Sequence, residues 1–113
     1  MPLVTIEDIA MESPETIDTS LAAVAEAVAG ALGRPSADVW ARFVVSDSVR
    51  FADGERHPIV TVATSPQPRA VVERVLRVAA EATASSLGVE AAGVWARFEA
   101  LAPGSVLAEG ELQ

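Results

Sequence analysis

The chain has no cysteine, no lysine and no tyrosine, and one histidine among its 113 residues. Without cysteine there is no disulfide framework, thiol nucleophile or thiolate metal ligand. Without lysine there is no Schiff base, and His57 alone cannot supply a His-rich metal centre. Gly30, Gly33, Gly54 and Gly88 stand singly, so no Gly-rich phosphate loop exists. No apolar run approaches the roughly 18 to 20 residues that cross a bilayer, and the N-terminus lacks the basic and apolar regions of a signal peptide. These absences predict a soluble, cytoplasmic protein with no cofactor, no metal and no membrane partner.

Positive charge is also scarce. All eight basic residues are arginines, set against sixteen acids, for a formal charge of −8. That balance argues against nucleic acid, whose phosphates require clustered cations. Arginine presents a planar fork suited to carboxylates, although the lack of lysine beside abundant alanine equally fits a compositional bias.

What the chain does have is a repeat. Val39-Trp40-Ala41-Arg42-Phe43 returns 55 positions later as Val94-Trp95-Ala96-Arg97-Phe98, and Leu32-Gly33 returns at the same spacing as Leu87-Gly88. Pro2-Leu3-Val4-Thr5-Ile6 returns 56 positions later as Pro58-Ile59-Val60-Thr61-Val62. A single domain, 1–113, built from two units, 1–57 and 58–113, is the expected organisation.

Each unit opens on a short β-branched run, Leu3 to Ile6 and Ile59 to Val62, of strand length and composition. In the first unit Ser13-Pro14-Glu15 supplies an N-cap, a proline at the first helical position and an acid in the first turn. Ile17, Leu21, Val24, Val28 and Leu32 then recur at spacings of three and four, predicting an amphipathic helix closed by Gly33. The second helix carries the stripe Val72, Leu76, Ala79, Thr83 and Leu87 and ends at Gly88; either Ser65-Pro66 or Pro68 opens it. Crossovers of this length favour right-handed βαβ units. Two such units side by side predict an α/β fold with a four-stranded, mainly parallel sheet and both helices on one face. Ser46 to His57 has room for a hairpin or edge strand around Val49-Arg50-Phe51, turned at Asp53-Gly54. The stretch from Ala102 to Gln113 reads as an extended arm or a second hairpin.

Alternation along the repeated strand puts Val39, Ala41 and Phe43 on one face and Trp40 and Arg42 on the other, and the second copy divides in the same way. Helices cover the Val/Ala/Phe face. The face with two Trp and two Arg is left open, which predicts an obligate oligomer with cyclic symmetry.

Common nucleophiles and bases being scarce, Pro2 stands out. Initiator methionine is commonly removed before proline, exposing a secondary amine with an unperturbed pKa of roughly 7.7 to 8.0. A neighbouring Arg or an apolar wall would favour its free-base form. Taken alone, Pro2 reads as a residue that merely begins a strand, and His57 reads as a surface residue.

The amino-terminal Pro-Leu-Val-Thr-Ile, the length of the βαβ unit and its fused second copy resemble the tautomerase superfamily, in particular its fused members near the cis-3-chloroacrylic acid dehalogenase and malonate semialdehyde decarboxylase branches. The resemblance covers nearly the whole chain. It implies the tautomerase/MIF-like fold, a homotrimer, catalysis by the Pro2 amine as general base or acid, and arginines that bind a small carboxylate-bearing substrate. Arg97, Arg69 and Arg42 are the residues to which that last role carries over. The chain also departs from the pattern. The loop Asp8 to Glu12 lacks the arginine found there in the family, and Trp40 and Trp95 stand where smaller tautomerases place another. Arg97 replaces a tyrosine of the dehalogenase branch, and the first helix lacks that branch's histidine, which disfavours hydrolytic dehalogenation. For Arg42 and Arg97 the competing role is a set of ion pairs with Asp47, Glu99 or acids of a neighbouring subunit; for the tryptophans it is interface packing.

Three functions follow as expectations: a tautomerase of small 2-keto or enol acids, a decarboxylase of a small oxo acid, or a non-catalytic oligomeric module of the same fold.

Overall fold

The computed structural model describes residues 1–9, 12–46 and 49–113. Its elements follow the repeat. Strand β1 (Leu3–Asp8) leads to helix α1 (Pro14–Leu32) and strand β2 (Trp40–Val45); strand β3 (Ile59–Thr64) leads to helix α2 (Arg69–Leu87) and strand β4 (Trp95–Ala100). A short hairpin, β5 (Leu107–Ala108) and β6 (Glu111–Leu112), ends the chain. Glu109 and Gly110 turn it with φ of 55° and 79°, the paired positive values that a two-residue hairpin turn requires.

The sheet order is β2-β1-β3-β4. Each unit forms its own parallel pair, and the units join through an antiparallel β1–β3 contact at the centre. Two of three pairings are thus parallel, as expected, and an approximate two-fold axis relates the units. The centre of the core lies on this junction. Val4 opposes Val62 and Ile6 opposes Val60, all four are fully buried, and Val24 and Val28 of α1 and Val75 and Ala79 of α2 join them in one cluster.

Local signals set the helix ends. The Ser13 side chain accepts a hydrogen bond from the Thr16 N–H, with Pro14 at the first helical position. Gly33 takes the left-handed conformation, φ 68°, and the Arg34 N–H reaches back to the Ala29 carbonyl at 2.9 Å, a Schellman closure. Helix α2 starts at Arg69 behind Pro68, not at Pro66.

Two expectations are corrected. The buried face of α2 centres on Val75, Ala79, Thr83 and Leu87, with Val71, Val78 and Ala82 beside it; Val72 and Leu76 lie on the flank. Apolar residues occupy both overlapping stripes, so periodicity alone could not choose between them. No strand forms over residues 49–51. The linker instead turns through a Gly54 N–H to Phe51 carbonyl bond and is tied down by the side chains that follow it.

Thr83 is fully buried in α2 and its hydroxyl has no hydrogen-bond partner among the described residues. Its counterpart 55 positions earlier is Val28. Thr83→Val, nearly isosteric, is therefore expected to stabilise the protein by about 1 kcal/mol. The check is a higher urea midpoint with an unchanged m-value.

Candidate functional site

Pro2 lies just ahead of β1 and is fully buried. Its carbonyl accepts the Trp40 N–H at 3.0 Å, as the Pro58 carbonyl accepts the Trp95 N–H at 2.9 Å. The parallel ladders thereby hold both prolines at equivalent positions. Beside Pro2, Met1 lines a cavity of about 210 Å³ together with Arg34, Ser65, Leu101, Pro103, Val106 and Gln113.

Every wall of this cavity has a structural cause. The Schellman turn after α1 delivers Arg34. Ser65 follows the end of β3, and Leu101 is fixed by donating its N–H to the Thr64 carbonyl at 2.7 Å. The C-terminal hairpin closes the other side through Gly104 N–H to the Gln113 carbonyl and Gln113 N–H to the Val106 carbonyl. The Met1 amino group donates to Gln113 Oε1 at 3.4 Å. Among the described residues Arg34 meets only Asp38, at 3.5 Å, in an exposed i,i+4 pair; such pairs contribute little, so the guanidinium can turn to another anion.

The three arginines singled out from the sequence lie elsewhere in the chain. The register places Arg42, Thr5, Thr61 and Arg97 in one row across the open face of the sheet, with Arg42 Nε donating to Thr5 Oγ1 at 2.9 Å. Trp40 and Trp95, 55% and 72% exposed, stand on this face at its two edges. Arg69 begins α2 and lines an open groove with Val72, Glu73, Leu76 and Arg77. A cation in the first turn opposes the helix dipole, and no acid of that turn offsets it. None of the three lines the Met1 cavity. Asp47, weighed as a partner for Arg42, lies outside the described residues. Sequence reasoning missed Arg34. Comparing the copies could have found it, because the residue after the helix-closing glycine is Arg34 in one unit and Val89 in the other.

The equivalent corner of the second unit is almost filled. Only about 30 Å³ remains there, bounded by residues that include Asp8, Ile9, Ser46, Phe51 and His57. The linker occupies the space. Arg56 grips the fully buried Asp8 carboxylate with Nε and Nη2 and reaches Glu12 at 2.9 Å; these two carboxylates hold the guanidinium's pKa above its ordinary value against partial desolvation. His57, read from the sequence as a surface residue, has both ring nitrogens bonded, Nδ1 to the Gly93 carbonyl at 2.7 Å and Nε2 to Asp53 Oδ2 at 2.6 Å. A further hollow of about 340 Å³ beside His57, walled by Phe51, Ile59, Val94 and Trp95, thus meets no free polar side chain. Among the described residues no group of three His, Asp or Glu side chains is placed to hold a metal ion, and no helix is long and apolar enough to cross a membrane. The Met1 cavity holds Arg34 in its wall and adjoins, through Met1, the buried Pro2.

No protein-family model matches the sequence, and no curated protein matches it. Solved structures do match. A macrophage migration inhibitory factor from Toxoplasma gondii superposes with a TM-score of 0.87 at 19% identity, covering 98% of this chain and 99% of that one. A fused 4-OT, a wild-type symmetric trimer, gives 0.82 at 19% identity over 95% and 91%. A malonate semialdehyde decarboxylase inhibited by 3-bromopropiolate gives 0.74 at 21% identity over 92% and 86%. With its paired βαβ units and this sheet order, the chain has the tautomerase-superfamily fold in its fused form.

Proposed function

We propose that the protein is a tautomerase of small 2-keto or enol carboxylic acids, acting through the amine of Pro2 after removal of Met1. The observation that carries this reading is the placement of Pro2: it is buried directly beside the Met1-lined cavity whose wall holds Arg34. Excision of Met1 would both enlarge that cavity and free the proline nitrogen. The secondary amine then takes the enol hydroxyl proton, and the resulting ammonium protonates the adjacent carbon, so one group serves as base and then acid. Arg34 holds the substrate carboxylate with charge-assisted bonds, and the apolar walls of Leu101, Pro103 and Val106 strengthen that attraction by limiting water.

Arg97 joins from a second copy. It stands on an open sheet face at an edge strand, away from its own Pro2, and reaches such a cavity only across an interface. A homotrimer, the state of the fused 4-OT structure, buries that face and supplies the contact; Arg42 and Arg69 likewise gain access to a substrate only within an assembly. Decarboxylation of a small oxo acid is the second reading, favoured by the likeness to a malonate semialdehyde decarboxylase. It would use a cationic Pro2 to polarise the carbonyl.

Intact-mass measurement and turnover of phenylenolpyruvate test the proposal together. The expected result is a mass lacking Met1 and measurable ketonisation. Retention of Met1 makes the Pro2 nitrogen an amide and sinks the mechanism in favour of a non-catalytic module. Arg34→Gln should raise KM about ten- to a hundredfold with a smaller effect on kcat, since it removes a contact made equally in ground and transition states.

A further inference from the structure

The ring of His57 faces two groups that can only accept. A carbonyl oxygen and an ionised carboxylate both need an N–H, yet a neutral imidazole has one N–H and one bare nitrogen. At 2.7 and 2.6 Å, a bare nitrogen on either side would set lone pair against lone pair, so these two contacts together favour the imidazolium. Its two bonds join separate parts of the chain. Asp53 belongs to the linker between the units, whereas Gly93 ends the 3-10 turn that opens into β4, two residues before Trp95. Phe51 packs edge-on against the same ring, with centroids 5.2 Å apart at 85°, fixing the plane in which the nitrogens point. At the equivalent position of the first unit stands Met1, so nothing there repeats the tie.

We propose that His57 is a positioning residue whose doubly bonded imidazolium sets the β4 edge carrying Trp95 and Arg97, and that loss of its proton releases that edge. The proposal rests on the functional reading only for the use made of Arg97. The charged groups around the ring are Asp53 and Glu55 of the linker and Glu7 and Asp8 of β1, which share a small cavity with it; Asp8 is already taken up by Arg56. The Gly93 carbonyl first, and Asp53 second, push the pKa of His57 above its ordinary value of 6.5. The sign follows from linkage. Stabilisation from the tie is complete below the unfolded-chain value near 6.5 and disappears as pH rises through the higher folded value.

The test uses the full chain with Trp40→Phe, which leaves Trp95 as the one tryptophan, and follows its emission together with the NMR signal of the single imidazole from pH 5 to 9. Both should titrate at one midpoint above 6.5. Asp53→Asn should shift both downward, and His57→Gln should abolish the emission change. Emission that stays flat while the imidazole titrates, or an unchanged transition in His57→Gln, overturns the proposal. These readouts need no turnover, so their failure is separate from failure of the tautomerase reading. With phenylenolpyruvate, KM should climb several-fold across the same window and become pH-flat and raised in His57→Gln. An inactive protein refutes the enzymatic reading and leaves the emission titration to decide the tie.

Discussion

Inserting one glycine between Met1 and Pro2 is expected to reduce ketonisation of phenylenolpyruvate by about four orders of magnitude, and Pro2→Ala by about two. The two changes separate what the residue contributes. After the insertion the proline nitrogen is an amide with no basic lone pair, so proton transfer at that atom ends whatever else binds the substrate. Alanine keeps a terminal amine of comparable basicity once Met1 is removed, but it loses the ring that fixes the nitrogen's direction. A reacting atom displaced by an ångström is enough to cost about a hundredfold. Single-turnover rates on variants whose thermal unfolding matches the parent, within the small loss expected from trimming a buried ring, provide the check. Equal activity in all three proteins would falsify a proline-based mechanism.

The second large effect concerns stability. Arg56→Met should cost about 3 to 5 kcal/mol, because it strands the Asp8 carboxylate, whose side chain has no exposed surface, with the Ile9 N–H at 2.8 Å as its remaining close donor among the described residues. Asp8→Ala should cost clearly less. Its orphan, the Arg56 guanidinium, is 30% exposed and keeps Glu12. The inequality is the informative outcome, since a simple loss of one mutual contact would penalise both variants alike. Combining the changes should recover part of the Arg56→Met loss, as removing the stranded charge does in a double-mutant cycle. For a domain of this size the larger effect lowers Tm by roughly 10 to 20 °C, read by calorimetry on the apo protein.

Much of the fold was legible because the duplication exposes each signal twice. The division of the repeated strand into a Val/Ala/Phe face and a Trp/Arg face survives intact, since a two-residue period leaves one register that buries the apolar set. The Ser13 cap and the closing glycines were equally readable, being satisfied by neighbours in sequence. What failed depends on distant partners. The α2 stripe departs from expectation only in its first two turns, where Val71, Val75 and Val78 compete with Val72 and Leu76 and only contact with the sheet decides between them; Ala79, Thr83 and Leu87 are buried as expected. The antiparallel meeting of the two units is a choice of orientation that no residue announces. No strand formed over residues 49–51 because their continuation is anchored by Arg56 and His57 to atoms dozens of positions away. Arg34 escaped notice for a similar reason: it is a loop residue with no periodic signature, and it gains meaning only when the C-terminal hairpin folds across the amino terminus.

The filled corner at Pro58 gives the covalent join between the units a significance apart from stability. One stretch of chain both caps the second proline's nitrogen as an amide and plugs the space in front of it. A break in the backbone between His57 and Pro58 would lift the first restriction alone, because Arg56 and His57 would still hold the linker against Asp8, Glu12 and Gly93. The fusion is therefore a double lock on half of the molecule, and cutting that single peptide bond opens only one of the two.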